Sequence, residues 1–263
     1  MSVLSDVSAW RRAGTAALPT LVIVGVALLC VAANRAMRAS ARYVVDPRHL
    51  ALLEHPGWMS EALAERVSAE MAAALEGPAT LLGREDLDHW RGRLQVASPW
   101  IADVEFVRAR FPAQADVRVA VEPPALALDG GVLVAHDGRV LGPGRVHLDP
   151  PLLRYAGTPE AEVLRACAQA AAEIRPWMRS LQDDGVMLVS VERDWEGTVV
   201  FRTDRGVELD WGRARASAVS AGFDLPVDAK VANLREVLAR YPGLARVRRV
   251  RLWLDRPEVV PGV

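Results

Sequence analysis

The 263 residues carry 32 Lys and Arg against 33 Asp and Glu, a formal net charge of -1, with 51% of the chain hydrophobic and 25% charged. That balance describes a folded protein of one large or two small domains, and it gives no global electrostatic basis for binding nucleic acid. The two cysteines, Cys30 and Cys167, cannot make a disulfide framework and leave the redox compartment open. Lys230 is the only lysine, and the arginine excess reads as the mark of a GC-rich genome.

From Ala13 to Ala33 the chain runs 21 residues without a charge, including LPTLVIVGVALLCVAA. At 1.5 Å per residue this spans about 30 Å, the thickness of a bilayer's hydrocarbon core. Arg11 and Arg12 precede it, and Arg35, Arg38 and Arg42 follow. A soluble helix apolar on every face would need protein on all sides. Val31 and Ala33 ahead of Asn34 fit the small-residue positions of a signal-peptide cleavage site. The apolar stretch is nevertheless longer than a usual signal core, and arginines follow it closely, so an uncleaved anchor over 13–34 is the preferred reading. Arginines flank both ends almost equally, so charge does not orient it.

The pattern then becomes mixed α and β. ARYVVDP is a short strand ended by Pro47, and residues 57–75 read as a helix capped by Ser60 with Leu63, Val67, Met71 and Leu75 on one face. A second helix over 83–96 carries Leu87, Trp90 and Leu94 on one stripe. PWIADVEFVRARF is a strand with a change of phase that suggests a bulge. In DVRVAVEPP, residues 116–124, Val117, Val119 and Val121 alternate with polar neighbours, and Pro123 and Pro124 then stop the strand. These two prolines read as a seam between a small α/β module and a larger β-rich one.

Beyond them, Asp129-Gly130 and Asp137-Gly138 are hairpin turn signals. A Pro- and Gly-rich loop is expected over 142–159, then a helix with Thr158 as N-cap and Pro159 at its first position. GVMLVSVER, GTVVFRT and GVELDW are strands, 228–242 is an amphipathic helix with Val231, Leu234, Val237 and Leu238 inward, and 246–257 is the last strand before a tail.

Nothing in the sequence points to an enzyme. His49, His55, His89, His136 and His147 show no metal-ligand spacing, and no nucleophile elbow, P-loop or dinucleotide fingerprint is present. Asp183, Asp184, Glu192, Asp194 and Glu196 fall at turns and strand ends, where acids are common. Cys167 lies on the apolar side of its helix and reads as core. The expectation is no catalytic residue, no cofactor and no metal. Function would then lie in surfaces, and strand edges are surfaces that recruit extended partners. The best candidate is RVRRVRLWLDRP, with Arg249, Arg251, Trp253 and Leu254 as partner-binding residues; the alternative for Trp253 is packing against the preceding helix.

Taken in order, these pieces resemble the bacterial cell-division FtsQ/DivIB family. SPWIADVEFVRARFPAQADVRVAVEPPALA resembles its two strands around a Pro-containing turn, closed here by Glu122 and Pro124. VLVAHDGRVLG resembles the hairpin that follows, and FRTDRGVELDWG the strand–Gly–strand–Gly pattern through Gly206 and Gly212. KVANLREVL resembles the Lys-led helix, with Lys230 on the family position, and VRLWLDRPEVV the final strand. Ala135 and His136 stand where an Asp often precedes the hairpin Gly, and RARASAVSAGFDLPVD looks like an insertion.

The resemblance implies an α+β protein: a short cytoplasmic tail (1–12), a transmembrane helix (13–34), a POTRA-like domain of two helices on a short sheet (42–123), a β-rich domain with two helices (124–257) and a tail (258–263). It also implies a single-pass scaffold of the division machinery, N-terminus inside and its bulk outside the cytoplasmic membrane, enriched at the division site. Its partners would be FtsB- and FtsL-like coiled-coil proteins and other division proteins of the membrane. The competing readings are an envelope binding module, anchored or secreted, and a cell-wall enzyme. A POTRA domain feeding an outer-membrane barrel is disfavoured because no barrel-forming run of strands follows.

Overall fold

The structure is a computed structural model and describes residues 6–40, 42–45, 55–75, 79–80, 84–112, 114–158, 160–212 and 225–262. Pro47, His49, Pro159 and most of the insertion-like stretch at 213–228 lie outside the described residues. The described chain is mixed α and β, with five α-helices and one large mixed sheet. It divides into two compact units of interleaved segments.

The first unit comprises Met1–Leu53, Ser68–Ala97 and Val104–Arg118. Helix α1 (Asp6–Ala39) contains a stretch, Val22–Ala39, long and apolar enough to cross a membrane, and none of that stretch is buried against protein. Strand β1 (Val44–Val45) pairs antiparallel with β2 (Ala79–Thr80). Helix α2 (Glu61–Ala74) starts after Ser60, whose carbonyl accepts from the Leu63 and Ala64 amides. In its C-terminal part Met71 is fully buried, as are Trp90 and Leu94 of α3 (Arg84–Gln95). Arg93 of α3 donates to the Ala74 carbonyl at 3.2 Å, closing the last turn of α2 with a cation where the helix dipole favours one.

Strands β3 (Ile101–Arg110) and β4 (Gln114–Val121) form a separate two-stranded sheet. Their short connection makes them a hairpin, tied by Arg118 to Glu105 at 3.3 Å and Arg110 to Asp116 at 3.8 Å. The exposed pattern of β3 departs from strict alternation, and β4 ends before Pro123 and Pro124 as their missing donors require. The unit boundary falls a few residues earlier, between Arg118 and Val119.

The second unit comprises Glu54–Val67, Ser98–Asp103 and Val119–Val263 and holds the nine-stranded sheet. Its strands are β5 (Leu126–Ala127), β6 (Val132–Val134), β7 (Val140–Pro143), β8 (Leu153–Tyr155), β9 (Leu188–Arg193), β10 (Val199–Thr203), β11 (Glu208–Gly212), β12 (Val247–Arg251) and β13 (Glu258–Pro261). They lie in the order β13-β12-β11-β10-β9-β8-β5-β6-β7. The pairs β5–β8, β8–β9 and β11–β12 are parallel, and the rest are antiparallel. Two of the parallel pairs are bridged by helices, β8 to β9 by α4 (Ala161–Asp183) and β11 to β12 by α5 (Val227–Arg240), because a parallel neighbour can be reached only by a long crossover.

Both helices bury their apolar stripes in one core. Cys167, Ile174 and Leu181 of α4 and Leu234 and Val237 of α5 share a cluster with Phe201, Leu209 and Trp211 of the sheet. Phe201 and Trp211 meet edge to face with centroids 5.4 Å apart. Pro176 sits inside α4 at an exposed position, where its ring nitrogen cannot donate to the Ala172 carbonyl.

Three sequence expectations are corrected. Residues 142–159 contain the end of β7 and all of β8 and are not simply a loop. Thr158 is not the N-cap of α4: Glu160 holds that position, and the Thr158 carbonyl accepts from the Tyr155 hydroxyl and the Glu160 amide, which turns the chain before the helix begins. The final strand is shorter than 246–257, and the tail at 258–263 contains a further strand, β13.

Phe201→Ala removes a fully buried aromatic ring from the core that sheet and helices share. It is expected to lower stability by about 3–5 kcal/mol, measured by urea unfolding of the detergent-solubilised full chain.

Candidate interaction surface

Because α4 and α5 cover one face of the sheet, the outward residues of β9 to β13 form the other. Cross-strand register places Glu192, Val200, Asp210, Arg251 and Glu258 in one row, and Ser190, Arg202, Glu208, Arg249 and Val260 in the next. The charged members knit together. Arg249 donates from Nε to both Asp210 oxygens at 2.8 Å and from Nη2 to Asp194 at 3.0 Å, with Glu208 3.9 Å from Nη1. Arg251 donates to Glu258 at 2.8 Å and lies 3.7 Å from Asp210. Arg202 bridges Glu192 at 2.8 Å and Glu208 at 3.1 Å.

Asp210 is the buried centre of this lattice, with its side chain 2% exposed. Burial pushes its carboxyl above the ordinary 3.8; the Arg249 guanidinium pulls it down, and Asp194 adds to the rise. Arg249 is raised in turn, chiefly by its bond to Asp210. The two ends differ because Asp210 has lost nearly all its water, whereas Arg249 keeps part of its own.

Asp194 also shapes the β9–β10 turn. Its Oδ1 accepts from the Glu196 and Thr198 amides at 3.0 and 2.8 Å, while Gly197 adopts a φ of +85° that an L side chain would resist. The turn presents Trp195, which is 89% exposed.

At the sheet end, β13 pairs with β12 alone among the described strands, so it and not β12 is the edge. Beyond Arg251 the Leu252 amide still donates to the Asp210 carbonyl of β11 at 2.9 Å, but Asn233, buried on α5, donates to the carbonyls of Leu252 and Leu254 at 3.1 and 2.8 Å and takes them from further strand pairing. Of the expected partner-binding residues, Arg249 and Arg251 therefore lie on an interior strand, engaged with carboxylates. Trp253 and Leu254 lie half-buried in the β12–β13 connection. Asn233, Trp195 and β13 escaped the sequence reading.

The residues singled out by family resemblance lie elsewhere in this unit. Glu122, little exposed, accepts from Arg139 at 3.1 Å and from the His136 ring, and the second Arg139 Nη reaches the Ile101 carbonyl at 3.3 Å. Pro124 is buried next to β5. Gly206 and Gly212 both have positive φ, +76° in the β10–β11 turn and +105° at the end of β11. Lys230 is buried with its ammonium 5.1 Å from the centre of the Trp211 ring. The Cys167 thiol is pushed up to about 12, mainly by burial, and is therefore protonated at neutral pH.

No known family model matches the chain. No curated protein matches it either.

Arg249→Ala leaves the Asp210 carboxylate buried without its main partner, and stability at neutral pH should fall by about 3 kcal/mol. The raised folded pKa of Asp210 means that the folded state holds a proton the unfolded chain has already released. Stability from this group is therefore greatest at low pH and declines as pH rises from 3.8 through the folded value. Thermal melts across the acidic range should show part of the Arg249→Ala loss recovered as pH falls, and a flatter profile in Asp210→Asn.

Proposed function

We propose that the protein is a single-span membrane scaffold of the bacterial division machinery, of the FtsQ/DivIB kind. It would stand with residues 1–12 inside, its folded units outside the cytoplasmic membrane and its highest density at the division site. The segment 42–123 would act as a POTRA-like domain receiving other division proteins of the membrane. The second unit would bind FtsB- or FtsL-like coiled-coil proteins through added strand pairing at its terminal edge. The observation that carries the reading is the edge of β13, four residues long and paired with β12 alone among the described strands, in a chain whose N-terminal helix is long and apolar enough to cross a membrane.

A partner strand laid along β13 would bond to the outward backbone groups of this strand. Its side chains would reach Trp253 and Leu254 at one end of the edge. The charge lattice behind would hold β12 and β13 rigid, so little order would have to be gained on binding.

The test uses proline. In an antiparallel edge strand, neighbouring residues direct their amides alternately toward the sheet and away from it. Of Val259→Pro and Val260→Pro, the variant whose lost amide faced outward should fold normally, since edge strands tolerate proline there. That variant should bind an FtsB-like protein from the same cell at least tenfold more weakly, measured with both proteins in detergent. Unchanged affinity in both variants would remove β13 from the interface. Trp253→Ala should weaken the same binding by about 2 kcal/mol if the ring is a hot spot, read in the same titration.

A further inference from the structure

The membrane-proximal end of the first unit carries a second surface. Between Asp6 and Asp46 there is no acidic residue, yet Arg11, Arg12, Arg35, Arg38 and Arg42 lie there. Arg35 and Arg38 are exposed on the last turns of α1, on one face because they are three residues apart. Arg42 is exposed in the turn beyond, closed by the Tyr43 amide donating to the Ser40 carbonyl at 2.9 Å. None of these three side chains has a hydrogen bond or ion pair among the described residues.

Their depth can be placed by helix geometry. Along the axis, Arg35 and Arg38 stand about 3 and about 7.5 Å beyond Ala33, the last apolar residue before Asn34. A bilayer's headgroup layer begins where the hydrocarbon ends and is roughly 5–8 Å thick on each side. With α1 spanning the bilayer, both residues would stand at the level of lipid phosphates, and Arg42 would follow at its outer margin.

The β3–β4 hairpin reaches the same place. Its tip residue Phe111 packs against Tyr43, with centroids 5.5 Å apart, yet is still 60% exposed. Arg108 and Arg110 precede it, both exposed. An aromatic ring left open to water beside arginines at phosphate depth matches the composition of a membrane-interface contact, where aromatic rings sit among headgroups and guanidiniums pair with phosphates.

We infer that Arg35, Arg38 and Arg42, with Tyr43 and the Phe111 hairpin tip, form a docking surface for the anionic phospholipid headgroups of the membrane that α1 spans. The bilayer would thereby fix the first unit against its own surface as well as tether it. This rests on α1 spanning the bilayer, and the experiment separates the two.

The full chain, with Cys30→Ala and Cys167→Ala, is placed in nanodiscs of phosphatidylcholine with a third of the lipid replaced by phosphatidylglycerol. Single nitroxide labels are attached at Val26→Cys, Phe111→Cys or Val96→Cys. Val96 is an exposed control on the same unit, beside Gln95, whose side chain bonds the Val104 amide. That is about 20 Å along β3 from the hairpin tip. Collision rates with oxygen and with a water-soluble nickel chelate should place position 26 in hydrocarbon, 111 at headgroup depth and 96 in water. Removing the phosphatidylglycerol, or introducing Arg35→Gln, Arg38→Gln and Arg42→Gln, should move 111 toward the aqueous value.

The unsubstituted chain, extracted from vesicles of the same composition, should retain phosphatidylglycerol in excess, falling about fivefold for each arginine replaced. Position 111 as aqueous as 96 while 26 lies in hydrocarbon would overturn the docking surface and leave the span intact. No lipid preference in the unsubstituted chain would overturn it independently of any label. An aqueous position 26 would overturn the span and this inference with it.

Discussion

Two crossover helices on the same face of the sheet set the terms for the rest of the second unit. A parallel pair such as β8–β9 or β11–β12 needs a long return, and both returns here are helices packed into one core. The opposite face must then be compatible with water. It meets that requirement with charge, placing Arg and Asp or Glu in alternating columns so that each guanidinium faces a carboxylate on the next strand. Val200 lies in one of those rows, 2% exposed and outside the core cluster, with Glu192 and Asp210 as its cross-strand neighbours. The same constraint explains why the apolar load of β10 and β11 is concentrated in Phe201, Leu209 and Trp211.

The Asp210–Arg249 pair does more than solvate a face. A buried ion pair is a weak source of net stability, because desolvation offsets most of the attraction. It is a strong source of register. A one-residue slip of β11 would turn Asp210 toward the helices and away from Arg249 and Arg251, and bring Leu209 out. Through Asp194 the same guanidinium reaches the β9–β10 turn, so one side chain of β12 fixes both the strand beside it and the loop that presents Trp195. The sheet end is thereby made rigid by polar contacts that leave its edge open.

Local pattern made the helices and most strands legible. The period of Leu63, Val67 and Met71, the valine alternation in β4 and the double proline after it correspond to α2, β4 and its end. Two short strands were not legible: LRY of β8 is too short to show a period, and EVVP of β13 follows Pro257 and ends on Pro261, prolines that argue against a strand. The 246–257 run misled for a different reason. Its alternation continues past Arg251, and only Asn233, nineteen residues before Leu252 in the chain, diverts it. The charge lattice was invisible for the same cause. Glu192, Asp194, Glu208, Asp210 and Glu258 are ordinary turn and strand acids until topology brings them to Arg202, Arg249 and Arg251.

An edge strand this short raises a question of strength. Four residues offer a partner few backbone bonds, each of modest net value in water. Glu258 and Pro261 at its ends are also devices that keep edges from pairing indiscriminately. A partner that relied on strand addition alone would bind weakly, so side chains must supply the rest. The groups placed to do so are the half-buried Trp253 and Leu254, which enter from the loop Asn233 holds. Trp195 adds to them, raised on a turn whose carboxylate is tied to the edge-adjacent strand. On the proposed reading, backbone pairing at β13 sets direction and register, while these side chains set affinity and choice of partner.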